Sequence, residues 1–303
     1  MRLRRSCLAV PGSNPKMLAK AAALPADMVF LDLEDAVAPL EKNDATRQNV
    51  VDALTGHEWT APTRVVRVNG IDTTWCFRDI LYVVAGAREA LDCVMLPKVQ
   101  GPDHVAFAHH LLNQLEAELG MQKRIGLEVQ IESARGAENL PAIADASDRI
   151  ETIIFGPGDY AADLGIPQLS VGAVDDVYPG DQWHSILSRI VITARARGLQ
   201  AIDGPYAAIR DLDGFRTVAE RSARLGCDGK WALHPDQIEI LNEVYRPTQA
   251  QYDRAQALLD AYRQATQGDR RGAVMWEGEM IDEASRKMAE QVAARGRAAG
   301  MAG

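Results

Sequence analysis

Short apolar runs recur along the chain at near-regular intervals, over residues 6–10, 28–33, 64–68, 91–96, 125–131, 152–155, 199–202 and 230–233. Several are continuously apolar rather than alternating, as strands are when helices cover the sheet, and this excludes an ordinary antiparallel sandwich. Between them lie segments with apolar residues at helical spacing, over 15–24, 46–54, 75–87, 105–119, 137–144, 183–196, 214–225 and 237–244. Eight strand–helix pairs in about 245 residues predict an α/β fold, a TIM (β/α)8 barrel over residues 1–247. A doubly wound parallel sheet is the alternative.

After Tyr245-Arg-Pro247 the pattern changes to a long amphipathic helix over 248–264 and a Gly- and Arg-containing linker over 267–272. An apolar tail follows, Ala273-Val-Met-Trp-Glu-Gly-Glu-Met-Ile-Asp282, leading into a last helix. Residues 248–303 therefore read as a separate C-terminal helical extension. Its Val274, Met275, Trp276, Met280 and Ile281 are costly to leave in water and are expected to pack on the barrel or on a neighbouring subunit. The polar stretch over 167–182, rich in Gly, Asp and Pro, reads equally as a mobile lid or a solvated loop.

The chain has 303 residues, 47% of them hydrophobic, and a net charge of −9. That balance lacks the sustained basic face that nucleic acid or an anionic membrane needs, so a polyanionic ligand must be met by local cations. Cys7, Cys76, Cys93 and Cys227 are far apart and without zinc spacing, which favours buried thiols in a reducing cytoplasm. The basic start is followed by an apolar stretch that Pro11-Gly12 interrupts, too short for a signal-peptide core, and no run approaches membrane-spanning length.

Glu132 and Asp159 are each expected at the C-terminal end of a buried strand, beside a Gly-containing turn, in Ile131-Glu-Ser-Ala-Arg-Gly136 and Phe155-Gly-Pro-Gly-Asp159. In parallel α/β folds the C-terminal strand ends carry the chemistry, and two converging carboxylates there suggest a hard divalent cation. The second strand adds Asp32, Glu34 and Asp35, the third Arg67 and Asn69, the fourth Lys98. Asp32 and Lys98 are expected in ion pairs that close the barrel mouth. Glu132 and Asp159, beside an already acidic strand end, would repel unless a cation joined them. Arg67 sits among apolar residues and is suited to a substrate carboxylate or a developing enolate oxygen, with pairing to Glu34 or Asp35 as the plain structural role. His234, before a proline, is as well suited to a turn as to a ligand, and Cys93 reads as core. Serine-nucleophile elbows, a P-loop and a strand–helix GxGxxG are not found, and Lys98 is the nearest candidate for a Schiff base.

Taken in order, Arg5-Ser-Cys-Leu-Ala-Val-Pro-Gly12, Leu31-Asp-Leu-Glu-Asp-Ala-Val37, Arg64-Val-Val-Arg-Val-Asn69, Met95-Leu-Pro-Lys98, the two acidic motifs above, Gln200-Ala-Ile-Asp203, Leu233-His-Pro-Asp-Gln237 and Met280-Ile-Asp282 resemble the citrate lyase beta subunit-like family. This family includes malyl-CoA, β-methylmalyl-CoA and citramalyl-CoA lyases and belongs to the HpcH/HpaI aldolase superfamily. The resemblance spans essentially the whole chain. It implies a TIM barrel that cleaves or forms a carbon–carbon bond next to a CoA thioester with Mg²⁺, or Mn²⁺ in its place, coenzyme A being part of the substrate. By position it makes Glu132 and Asp159 metal ligands and Arg67 the residue facing enolate and oxo-acid oxygens. Glu132, Gly158, Ile202 and Asp203 become substrate contacts, Glu34 and Asp35 a supporting acidic cluster, and Lys16 and Lys20 the holders of the CoA phosphates. Asp282 becomes the catalytic acid/base, reaching a neighbouring subunit's barrel in a homotrimer or hexamer. Ala9 stands where relatives often carry an aromatic residue beside the nucleotide. The expected reaction splits malyl-CoA or β-methylmalyl-CoA into glyoxylate and acetyl- or propionyl-CoA. Alternatives are a malyl-CoA thioesterase or a citramalyl-CoA lyase on the same site, a free-acid aldolase, and a partner-dependent citrate lyase beta subunit. The partners implied are an acyl-CoA and a 2-oxo acid, with no nucleic acid and no membrane.

Overall fold

The computed structural model describes residues 2–302 apart from 175–177, 179 and 268–271. Eight parallel strands close into a barrel in chain order: β1 (Ser6–Pro11), β2 (Met28–Asp32), β3 (Thr63–Arg67), β4 (Cys93–Leu96), β5 (Gly126–Ile131), β6 (Ile150–Phe155), β7 (Gln200–Asp203) and β8 (Gly229–Ala232). Parallel β1–β8 pairing, with Cys7 opposite Trp231, completes the closure. The crossovers carry α1 (Pro15–Ala22), α2 (Asp44–Gly56), α3 (Cys76–Ala87), α4 (Pro102–Leu119), α5 (Ala134–Glu138), α6 (Leu140–Ala144), α7 (Pro157–Asp163), α8 (His184–Arg195) and α9 (Leu212–Leu225), and α10 (Asp236–Val244) follows β8. Local chemistry marks their starts. Asn14, Asn43, Ser133 and Asp211 accept backbone N–H bonds as N-caps of α1, α2, α5 and α9, relieving donors that the first turn leaves unpaired.

Two segments differ from expectation. The helix expected over 137–144 is broken into α5 and α6 around Asn139, with Pro141 in the first turn of α6, where a missing N–H is tolerated. Beyond β6 the chain forms α7, so Asp159 lies in a first helical turn and not at a strand end. The described part of the stretch over 167–182 holds no helix or strand, and the rest of that expected lid or loop lies outside the described residues. No described helix is long and apolar enough to cross a membrane.

Alternation along the strands sorts side chains between the barrel interior and the helix layer. Cys7, Met28, Phe30, Val65, Cys93, Met95, Ile154, Ile202 and Trp231 form one interior cluster drawn from seven strands. Towards the N-terminal ends of the strands the interior turns polar around Arg4, which is 1% exposed. Its guanidinium donates to Glu128 Oε1 (2.8 Å), Gln200 Oε1 (2.7 Å) and Glu151 Oε2 (2.6 Å). Burial pushes the Glu128 carboxyl up against the pull of Arg4. All four cysteines are buried free thiols.

Contacts divide the chain into Met1–Asn242 and Glu243–Gly303, earlier than the boundary expected at Pro247. The second unit holds α11 (Gln249–Gln267), the strands β9 (Val274–Trp276) and β10 (Glu279–Ile281), and α12 (Glu283–Ala298). The antiparallel β9–β10 hairpin was not foreseen, and the expected linker over 267–272 lies largely outside the described residues. Tyr252 and Ala255 of α11 pack on Ala289 and Ala293 of α12. Gly296 permits that approach, since a Cβ there would stand 2.2 Å from the Tyr252 ring.

Arg4→Met should cost about 3 kcal/mol, because it strands Glu128 unpaired in the barrel. Urea unfolding of the purified chain measures this, and a loss below about 1 kcal/mol would show that the Arg4–Glu128 pair is dispensable.

Candidate active site

The C-terminal ends of β2, β3, β4 and β5 and the start of α7 bring charged groups together at one end of the barrel. Asp32 closes β2, register-paired with Arg67 at the end of β3. Arg67 Nε and Nη2 donate to the two oxygens of Asp32 at 2.7 and 2.6 Å, a bidentate pair with both side chains nearly sealed from water. The guanidinium lies 5.2 Å from the Trp231 ring and 5.8 Å from the Phe30 ring. Its remaining nitrogen, Nη1, faces Glu34 at 3.2 Å and Asp35 at 3.7 Å. The pairing expected with Glu34 or Asp35 is thus secondary to one with Asp32. Asp32 also accepts the N–H groups of Glu34 and Ala36, so the carboxylate that orients Arg67 also folds the loop carrying the other two acids.

Glu132, 3% exposed, follows β5 on the interior face. Its Oε1 accepts the Lys98 N–H at 2.6 Å and its Oε2 accepts Gln130 Nε2 at 3.0 Å. Gly156 makes room for it, because a Cβ there would lie 2.5 Å from Glu132 Oε2. Lys98 Nζ bridges Glu34 Oε1 (2.8 Å), Asp35 (3.4 Å) and Asp159 (3.5 Å). One lysine thereby ties the Glu132 end of the site to Asp159. Gly158, next to Asp159, packs on Val171, whose methyl carbon is 3.3 Å from where a Cβ would be.

Five carboxylates, Asp32, Glu34, Asp35, Glu132 and Asp159, face two cations, Arg67 and Lys98. The imbalance is visible in the acids. Burial pushes Glu132 up to about 8, Asp159 adds to it, and Arg67 and the Lys98 N–H oppose it. Burial likewise pushes Glu34 up to about 7 despite Arg67, while Asp35 is held low, its hydrogen bond with Glu34, Arg67 and Lys98 outweighing desolvation. Burial would lower the Arg67 and Lys98 values, but their acids outweigh it and both are raised. A lysine held so firmly protonated is a poor Schiff-base former. Among the described residues no three His, Cys, Asp or Glu side chains converge as a ready-made metal cage. Two carboxylates with a surplus of negative charge suit Mg²⁺, which takes one or two protein oxygens and fills its shell with water and substrate. Glu132 and Asp159 would hold it.

Other expected site residues fall elsewhere. Ile202 lies in the interior cluster, 1% exposed, and Asp203 points to the helix layer, where Lys230 Nζ binds it at 2.7 Å. Any substrate contact from this pair would have to use the backbone. Lys16 and Lys20 are exposed one turn apart on α1. Ala9 packs against the interior cluster. His234 is a turn residue, its Nδ1 accepting the Asp236 N–H. In the second unit Asp282 is the N-cap of α12: its Oδ1 accepts from Ala284 N, Ser285 N and Ser285 Oγ in a capping box. The Ser285 N–H leads in holding this carboxyl below the ordinary range. Unforeseen from sequence were Asp32 as the orienting partner of Arg67, Gln130 beside Glu132, and the buried Lys230–Asp203 pair.

The profile of the HpcH/HpaI aldolase/citrate lyase family matches residues 5–235, the whole barrel apart from α10. The chain belongs to that family. The L-malyl-CoA/beta-methylmalyl-CoA lyase of Rhodobacter capsulatus is 37% identical, the match covering 96% of this chain and 94% of the relative. The citrate lyase subunit beta of Leuconostoc mesenteroides subsp. cremoris is 34% identical over 93% of this chain and 89% of its own. Among solved structures, protein CitE from Mycobacterium tuberculosis in complex with magnesium, acetoacetate and coenzyme A superposes with a TM-score of 0.74 at 30% identity, covering 97% of both chains. The family assignment agrees with the barrel.

Because the folded chain holds Glu132 at about 8 against an ordinary 4.5, the native state binds the extra proton between those values and loses stability as pH rises through them. In excess chelator, the advantage in Tm of Glu132→Gln over the wild type should therefore widen from pH 5 to pH 8.5. A constant difference measured by calorimetry would contradict the burial of an uncompensated acid.

Proposed function

We propose that this chain is a magnesium-dependent lyase that cleaves, and in reverse forms, the carbon–carbon bond of a 3-hydroxyacyl-CoA. Malyl-CoA or β-methylmalyl-CoA would give glyoxylate and acetyl- or propionyl-CoA. The observation that carries this reading is the convergence of Glu132 and Asp159 with the buried Arg67 fork at one barrel end. A divalent ion there supplies Lewis-acid polarisation of the oxo-acid oxygens and a template for them. Arg67 offers Nη1, the one guanidinium nitrogen not committed to Asp32, to the thioester oxygen that becomes negative as the carbon–carbon bond breaks. Two aromatic rings and Asp32 fix the fork beforehand, so little reorganisation accompanies the charge. The hydroxyl proton passes to water, the carbon–carbon bond electrons pass into the thioester enolate, and a proton must then reach the enolate carbon.

Asp282 is assigned that last transfer. Its capping bonds all go to Oδ1, leaving Oδ2 without a bond among the described residues. The low value of its exposed carboxyl would rise on burial beneath another subunit's barrel, as an acid needs. Met275 and Met280 support such burial: they are register partners in the β9–β10 hairpin and are 66% and 67% exposed. A head-to-tail arrangement that closes makes a ring, proposed here as a trimer or a hexamer made from two. Exposed Lys16 and Lys20 would hold the CoA phosphates, and four free thiols agree with a cytoplasmic enzyme.

Mass spectrometry of mixtures of acyl-CoA with glyoxylate or pyruvate tests the reaction. Condensation products should form with Mg²⁺ and vanish in chelator and in Glu132→Gln or Asp159→Asn. Turnover in excess chelator, or malate and free CoA as the sole products from malyl-CoA, would overturn the lyase reading. Lys16→Ala with Lys20→Ala should raise KM for the CoA ester about tenfold with kcat little changed, since the contacts are remote from the reacting bond. Loss confined to kcat in steady-state assays would remove the phosphate assignment. Arg67→Ala and Asp282→Ala, each nearly inactive alone, should regain part of the activity when unfolded and refolded together. No recovery despite proven subunit mixing would exclude a shared site.

A further inference from the structure

Lys98 has a left-handed backbone, φ +52°, at a residue that is not glycine. Such a conformation is unfavourable for a side chain with a Cβ and persists where surrounding contacts over-determine it. Here it lets one residue serve two sides of the site. Its N–H goes to Glu132 Oε1 at 2.6 Å, while its ammonium reaches Glu34 (2.8 Å), Asp35 (3.4 Å) and Asp159 (3.5 Å). The side chain remains 36% exposed, so the ammonium has a path to water on a flexible stem. The other cation of the site, Arg67, is locked to Asp32 and has no comparable freedom.

We propose that Lys98 is the internal counter-cation of the site, a positioning residue whose ammonium holds Glu34, Asp35 and Asp159 together and competes with the divalent cation for Asp159. The inference rests on the metal-dependent reading above. When the cation takes Asp159, like-charge repulsion turns the ammonium outward, while the backbone N–H stays on Glu132 and keeps one oxygen of that carboxylate oriented. A cation-free site thereby avoids the repulsion of clustered acids, and metal affinity is set below what the carboxylates alone would give.

The test is titration of Mn²⁺ into the full chain at pH 8.5, reading free Mn²⁺ by electron paramagnetic resonance. Lys98→Met and Lys98→Gly should bind at least about fivefold more tightly than the wild type, and Lys98→Arg within about twofold of it. Glycine accepts the left-handed backbone, so it carries the test should Lys98→Met fail to fold. On the wild type itself, acetylation of Lys98 followed by mass spectrometry should quicken at least about twofold on adding Mg²⁺. Unchanged or weaker Mn²⁺ binding in the folded neutral variants, or unaltered Lys98 acetylation, would overturn the proposal while leaving the metal reading intact. No Mn²⁺ binding by the wild type would bring down the metal reading, and this proposal with it.

Discussion

The bidentate pair between Arg67 and Asp32 is the interaction on which the site depends. It places a fixed positive fork at the mouth of an apolar barrel, between Phe30 and Trp231, and through the N–H groups of Glu34 and Ala36 it folds the acidic loop beside it. A buried pair of this kind is an uncertain source of stability, because desolvation offsets much of the attraction. What it provides is orientation. With Nε and Nη2 spent on Asp32, Nη1 faces Glu34 at 3.2 Å and in the proposed reaction would turn to the reacting oxygen, and the surplus of carboxylates around it calls for a further positive charge.

That surplus was legible in the sequence, since Glu34, Asp35, Glu132 and Asp159 all stand at or just beyond strand ends that periodicity located within a few residues. Strand periodicity also located the eight strands and their helical crossovers, but only the β1–β8 pairing separates the closed barrel from a doubly wound sheet. Which acid meets which cation was not legible. Asp32 and Arg67 meet because β2 and β3 align them in register, and register across separate strands leaves no local trace in sequence. The same holds for Asp203 and Lys230, which face the helix layer because Ile202 and Trp231 face inward. Asp159 was displaced by a more local effect: Gly156-Pro-Gly158 reads as a turn, yet the proline opens a short helix.

In the C-terminal unit the capping role of Asp282 is shown, and its transfer of a proton is proposed. Asp282 caps α12 through a single oxygen, a purely local role that Asp-x-x-Ser predicts as well as any catalytic motif does. The hairpin ahead of it holds a methionine pair that the described residues leave 66% and 67% exposed, and it is that exposure, more than the capping geometry, that argues for a second surface. The family assignment by itself gives the fold and the reaction class.

A divalent cation that joined Glu132 to Asp159 beside the Arg67 fork would be seen directly in an anomalous difference map from crystals grown with Mn²⁺. One strong peak per barrel is expected, bonded to a carboxylate oxygen of each residue. A peak bound elsewhere, or none at saturating Mn²⁺ with Lys98 still bridging Glu34 and Asp159, would contradict it.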